Sequence, residues 1–288
     1  MTNVGRPDAA PPAPPPARPQ LIRTMNEQAM LDHIRWSGPL SRADLARISG
    51  LSKPTVSLAL GTLERSGLVR VAGTRTGVPG PAAVLYEIEP DAGHVLALDV
   101  GREYVRGALG DLTGSVRAQE SVRTRATHGP GRMKDLVALA DRLLAEAGVP
   151  WEQVTQTVLG SPGVYDPGRD ALALTGGLAG WDRPSVLADL RGRFGSSLMV
   201  ENDVDAAALA ELAHGHGREI DTFAFVSVGT GVGMGLVLDG RLHRGANGAA
   251  GEIGFMPFAD GMGSDERDAR RRGTLEASAS AAAVVRAA

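Results

Sequence analysis

Residues 41–67 read SRADLARISGLSKPTVSLALGTLERSG, and their spacing predicts two short helices joined by a tight turn. Ser41, with Asp44 three residues on, makes a capping-box pattern that opens the first helix. Leu45 and Ile48 point inward, and Gly50 stands where a left-handed C-cap belongs. Ser52 caps the second helix, and Pro54 falls in its first turn, where proline is tolerated. Val56, Leu60 and Leu63 then share one helical face, and Gly67 ends the segment. Upstream, a helical pattern from Asn26 carries Met30, Leu31 and Ile34 on one face and stops at Gly38 and Pro39. Downstream, residues 68–71 and 83–88 read as two strands around a Gly/Pro-rich loop, AGTRTGVPGPA, which forms a wing. Residues 23–90 are therefore expected to be a winged helix-turn-helix.

In such a unit the N-terminal half of the second helix enters the major groove of DNA. Ser52, Lys53, Thr55 and Ser57, with Gly61 beyond them, lie off the buried stripe and are small or basic, so the backbone can approach the bases. Arg65, Arg70 and Arg75 are placed to neutralise phosphates. A winged helix used for protein contacts fits the same pattern.

Charge is unevenly spread. Residues 1–90 hold ten Lys/Arg against seven Asp/Glu, whereas the remainder holds 20 against 26. A basic head on an acidic body suits contact with phosphates, and an ordinary solvated surface is the bland alternative. Cysteine is absent, which excludes disulfides and thiolate metal sites. No run approaches the roughly 18–20 apolar residues of a membrane helix, and no apolar core follows the N-terminal basic residues. No membrane partner is expected, and the cytoplasm is the default location. Residues 1–22 include the proline-rich stretch PDAAPPAPPPARP and are expected to be a disordered tail.

Pro90 and Asp91 mark a boundary. Beyond it VLALDVG, VRGALGDLTG and SVRAQESV read as three consecutive strands, followed by a helix over about 132–147. A strand at 156–159 leads into SPGVYD, and one at 198–200 leads into a helix over about 204–214. TFAFVSVG, GMGLVLDG and residues 241–244 give three more strands, and an Ala-rich helix covers 274–286. The order β-β-β-α-β-α, then β-β-β again, predicts an internal duplication with a first lobe over 91–220 and a second over 221–288. ENDVDAAALAE (201–211) puts Asn202 and Asp203 at a strand-to-helix junction, where a carboxylate can accept a hydroxyl proton and an amide can bind a second hydroxyl. A plain helix cap explains the same two residues.

Taken in order, LALDVG, SPGVYD, ENDVDAAALAE, SVGTGVGMGLVLDG (227–240) and RGANGAAGEIGF (244–255) resemble the ROK family of bacterial sugar kinases and transcriptional repressors, and the resemblance extends over nearly everything from residue 25 onward. It implies an α/β actin-like, ribonuclease H-like fold for 91–288, with a sugar cleft between two lobes. It carries sugar contacts over to Asn202, Asp203, Glu252 and Glu276, with Asp203 at the position of the kinases' catalytic base. Family members with a winged helix are typically regulators of sugar-utilisation genes.

The chain departs from the kinase pattern in three places. The phosphate loop, Asp-x-Gly-Gly-Thr-Lys in kinases, is Asp99-Val100-Gly101-Arg102-Glu103-Tyr104 here. Phosphoryl transfer rests on positioning and charge, so this loss is severe. No catalytic residue is expected: Asp203 is a vestigial base, and Asp99, Gly101, Gly229, Thr230 and Gly231 are vestigial nucleotide positions. The family's zinc histidine is Phe255 here and its last cysteine is Thr274, so no metal or other cofactor is expected. Family members also continue well past Ala288, so the second lobe reads as truncated.

The expected function is a non-enzymatic transcriptional regulator, a repressor by preference. Its partners would be double-stranded operator DNA and a sugar or sugar-phosphate effector. It would act as a homodimer or higher oligomer, because palindromic operators present two half-sites. The alternatives are a ROK sugar kinase with an accessory head, and a ligand-independent DNA-binding protein whose body is a scaffold.

Overall fold

Met30 and Ile34, one turn apart on a helix and fully buried, anchor the first of two units into which the computed structural model divides, Met1–Ala92 and Gly93–Ala288. The structure describes residues 19–76, 82–166, 168–175, 178–257 and 273–287. The expected tail of residues 1–18 and the wing tip at 77–81 lie outside them.

The first unit comprises α1 (Pro19–Ser37), β1 (Leu40–Ser41), α2 (Arg42–Ser49), α3 (Lys53–Arg65), β2 (Val69–Arg75) and β3 (Ala83–Ile88). Its antiparallel sheet has the order β1-β3-β2. Met30, Ile34, Leu45, Val56, Leu60, Leu63 and Tyr86 form its core. The capping box forms: the Asp44 N–H donates to Ser41 Oγ at 3.2 Å, and the Ser41 N–H donates to Asp44 Oδ2 at 3.1 Å. Gly50 closes α2 at φ 70°, in the left-handed region.

Three expectations for this unit are corrected. Residues 19–22 are helical, because α1 begins at Pro19, whose fixed φ suits a first helical position. Leu21, Ile22 and Met25 are exposed there, so no inward stripe marks this part of the helix in the sequence. Ile48 does not point inward: it is 39% exposed, in the last turn of an eight-residue helix that enters the core through Leu45. Finally, β2 runs on to Arg75, because its pairing with β3 resumes after a bulge between Val71 and Gly73.

The second unit opens on the meander β4 (His94–Val100), β5 (Tyr104–Asp111) and β6 (Val116–Arg123), followed by α4 (Gly129–Ala147) and β7 (Val154–Ser161). The hairpin β8 (Val164–Asp166) and β9 (Ala171–Ala173) comes next, then α5 (Pro184–Phe194), β10 (Met199–Asn202) and α6 (Asp203–His214). The main sheet has the order β10-β7-β4-β5-β6, with β7 parallel to β4 and β10 parallel to β7. Parallel neighbours require crossovers, which α4 and α5 supply. Leu96, Leu109, Leu136, Leu139, Leu159, Trp181 and Leu190 fill the core beneath the sheet.

A second antiparallel sheet, β11 (Phe223–Val228), β12 (Val232–Leu238) and β13 (Arg241–Leu242), packs on α6. Gly235 permits that approach: a Cβ there would lie 2.5 Å from Ala208 Cβ and 2.9 Å from the Val204 carbonyl oxygen. The chain continues in α7 (Thr274–Ala279) and α8 (Ala281–Ala287). The single helix expected over 274–286 is thus two, broken at Ser280, whose backbone is extended (φ −66°, ψ 159°). The predicted element order also lacked α5 and the β8–β9 hairpin. The N-cap of α5 is Arg183, which makes no side-chain capping bond, so the usual start signal is absent.

Candidate functional site

On α3, Ser52 Oγ accepts the Thr55 N–H at 3.3 Å and lies 2.8 Å from Thr55 Oγ1. The two hydroxyls are thus engaged with each other at the helix start. Arg65 donates to Thr62 Oγ1 at 3.2 Å and folds back along the helix, its Nη1 lying 3.3 Å from where a Cβ of Gly61 would be. Arg70 pairs with Glu87 at 2.8 Å and with Glu89 at 3.3 Å. Arg75 pairs with Asp44 at 3.1 Å, and hydrogen bonds from the Ser41 side chain and backbone hold that carboxyl down at about 2. Lys53 and Ser57 face solvent on the outer side of α3. The residues read as DNA contacts therefore divide in two: Lys53 and Ser57 point outward, while Ser52, Thr55, Arg65, Arg70 and Arg75 also have partners within the unit.

The second unit contains a cavity of about 620 Å³ whose wall includes all four residues read as sugar contacts, Asn202, Asp203, Glu252 and Glu276. The β10–α6 junction supplies the first two. Asn202 Oδ1 accepts the Val204 N–H at 2.8 Å and the Asp205 N–H at 3.0 Å, while its Nδ2 donates to the Gly163 carbonyl at 2.9 Å. The amide therefore serves as the helix cap and ties the β8 entry loop to α6. Glu276, on α7, accepts the Val232 N–H at 3.2 Å. Gly101, Gly229, Thr230 and Gly231 also line the cavity, whereas Asp99 is absent from its wall and pairs with Arg106 at 3.0 Å.

Sequence reasoning missed Asp205. It is 3% exposed and lines the cavity, and its Oδ1 has no hydrogen-bond partner among the described residues. A carboxylate in the third position of an Ala-rich helix, after Asn202 and Asp203, was the available signal, and it reads equally well as an ordinary first-turn acid.

The acids raise one another's proton affinity. Burial, with Asp203, Asp205 and Glu276 nearby, pushes Glu252 up to about 7. Burial and Glu201 push Asp205 up to about 6, opposed by Arg244, whose Nε lies 3.0 Å from Glu201 Oε2. Burial, reinforced by Asp99, also raises Asp203, and burial raises Asp99 against the pull of Arg106. With Asp205 and Glu252 pushed up toward neutrality, the pocket offers both acceptors and donors to a polyhydroxylated ligand.

The turn at the kinase phosphate-loop position is held from behind. The Arg132 guanidinium, 4% exposed on α4, donates to the Gly101 carbonyl and to the Arg102 carbonyl, the latter at 2.6 Å. The Gly101 N–H is itself taken by the Tyr104 carbonyl at 2.8 Å.

Comparison with known proteins agrees with this geometry. The profile described as ROK family matches residues 95–288, and one described as Crp-like helix-turn-helix domain matches residues 20–84. The xylose repressor of Bacillus subtilis (strain 168) is 26% identical over 236 residues, covering 82% of this chain and 61% of that protein. The DNA-binding transcriptional dual regulator NagC of Escherichia coli (strain K12) is 26% identical over 242 residues, covering 82% of this chain and 58% of that protein. This chain thus spans about three-fifths of these relatives. A solved ROK family transcriptional regulator, a homologue of the E. coli MLC protein, superposes with a TM-score of 0.71 at 24% identity, covering 92% of this chain and 67% of its own. The ROK hexokinase of Thermus thermophilus gives 0.54 at 29% identity, covering 67% of this chain and 62% of its own. The N-terminal helix-turn-helix is followed by an α/β domain of the sugar-kinase type, and with the family profile running through more than half of its residues, the chain belongs to the ROK family.

Proposed function

We propose that this protein is a sugar-responsive, DNA-binding transcriptional repressor of carbohydrate-utilisation genes. The observation that carries the reading is the convergence of Asp203, Asp205, Glu252 and Glu276 on one cavity, in a chain that also bears a capped helix-turn-helix. Relatives named xylose repressor and NagC support it. In this reading α3 enters the major groove of an operator, and a sugar or sugar phosphate bound in the cavity shifts the protein between DNA-bound and released states. A ligand can do so only through its different affinity for the two states, typically about 1–3 kcal/mol. Two half-sites call for a homodimer or larger assembly, working in the cytoplasm where the operator lies.

We further propose that the protein has no kinase activity and holds no zinc. At the phosphate-loop position the Gly101 N–H is already taken by the Tyr104 carbonyl, and the kinases' Gly-Thr-Lys is replaced by Arg102, Glu103 and Tyr104. A zinc site of the family's kind does not fit, because Phe255 offers no donor atom and the chain has no cysteine. Among the described residues no helix is long and apolar enough to cross a membrane.

The test is a mobility shift on the promoter of the protein's own gene, at stated salt, across a panel of pentoses, hexoses and their phosphates. The expected result is specific retention that one sugar relieves and that Asp203→Asn renders insensitive. Retention unaffected by any sugar would support a ligand-independent scaffold instead. Sugar-dependent ATP turnover lost in Asp203→Asn would establish the kinase.

A further inference from the structure

We infer that Leu58 is a specificity-determining residue of α3, reading the C5-methyl group of a thymine in the major groove. The inference rests on the proposal that α3 binds DNA. Val56 and Leu60 are fully buried, and Leu58 lies two residues from each, about 200° round the helix from both. It is 54% exposed, the one large apolar side chain on a face otherwise made of Pro54, Thr55, Gly61, Thr62 and Arg65. The polar groups that could read bases around it are largely engaged: Ser52 with Thr55, and Thr62 with both Arg65 and the Leu58 carbonyl. Ser57 and Leu58 are thus the outward pair at the middle of the helix.

An isobutyl group has no donor or acceptor. Against a G·C pair it would strip water from the guanine acceptors and the cytosine amine and give nothing back, an unfavourable exchange. Against an A·T pair it meets the only apolar feature in the major groove, the thymine methyl. Over Gly61, one turn further on, lies only the Arg65 guanidinium, the flexible end of a long side chain that can swing clear of that contact.

The experiment selects binding sites for the full chain and for Leu58→Ala and Leu58→Arg from a random duplex library. It then measures affinity for the selected site with each thymine in turn replaced by deoxyuridine, which lacks only the methyl group. We expect one thymine per half-site whose replacement weakens wild-type binding about four-fold, the weight of one buried methyl. Leu58→Ala should be indifferent to that replacement, and Leu58→Arg should select guanine at the same position. Equal thermal midpoints of the three proteins would show that the changes act at the interface. Affinity unchanged by deoxyuridine at every position, or the same site selected by Leu58→Arg, overturns the inference while leaving DNA binding intact. Enrichment of no duplex by the wild type overturns DNA binding itself, and this inference with it.

Discussion

Glu276 accepts the backbone N–H of Val232 at 3.2 Å, joining α7 to the glycine-rich hairpin across 44 residues of chain. The same carboxylate oxygen would lie 2.7 Å from a Cβ at Gly231, so residue 231 has no room for a side chain while Glu276 holds this position. Glu276→Ala leaves the Val232 N–H without its acceptor and should lower stability by about 1–2 kcal/mol, measured by urea unfolding. Glu276→Gln keeps an acceptor oxygen and should unfold close to wild type, yet should weaken sugar binding in calorimetry because the charge is gone.

Stability should fall as pH rises through the neutral range. Glu252 moves from 4.5 to about 7 on folding, and Asp205 from 3.8 to about 6. Both values are raised, so the folded state binds protons more tightly than the unfolded chain. Their stabilisation is complete below about pH 4 and is lost as pH climbs through 6 and then 7. The thermal midpoint should therefore be lower at pH 8 than at pH 5.5, by several degrees, and Glu252→Gln should flatten much of that slope. A sugar whose hydroxyls donate to these carboxylates favours their ionised forms. Its affinity should rise over the same interval, with proton release on binding.

Gly235→Ala should disable the second sheet. The added methyl would meet Ala208 Cβ at 2.5 Å and the Val204 carbonyl oxygen at 2.9 Å, atoms of α6 that cannot swing aside as a flexible side-chain end can. Overpacking of this kind costs about 1–3 kcal/mol or more, and the loss should appear as early unfolding in circular dichroism. Gly229→Ala, where an added Cβ meets nothing within 4 Å, is the matched control.

Lys53→Ala should weaken binding to every duplex by a similar factor and leave base preference unchanged. As a phosphate contact it should also reduce the slope of log affinity against log salt by about 1, read by anisotropy titration at several salt concentrations. Arg70→Ala should move that slope less, because Glu87 and Glu89 already engage its charge.

Local chemistry made the first unit legible. The Ser41–Asp44 box, Gly50 and the Val56–Leu60–Leu63 stripe each depend on residues within one or two turns, and the structure has all three. The start of α1 was hidden because Leu21, Ile22 and Met25 are exposed and reveal no inward face. In the second unit, the meander and the β10–α6 junction were readable from strand alternation and from Asn202. Helix α5 was not, since it opens without a capping side chain. The cavity shows the same division. Its four predicted side chains do converge, a result the ordered motifs made visible. The unpartnered oxygen of Asp205 and the bond from Val232 to Glu276 depend on packing between distant segments, which no local spacing encodes.

Arg132 stands 30 residues from the turn whose carbonyls it grips. Swapping Arg102, Glu103 and Tyr104 for the Gly-Thr-Lys of a phosphate cradle would leave that clamp in place, the loop still tethered to α4. The path of this turn is thus fixed by a cation on a helix thirty residues further along the chain, and not by the turn's own side chains alone.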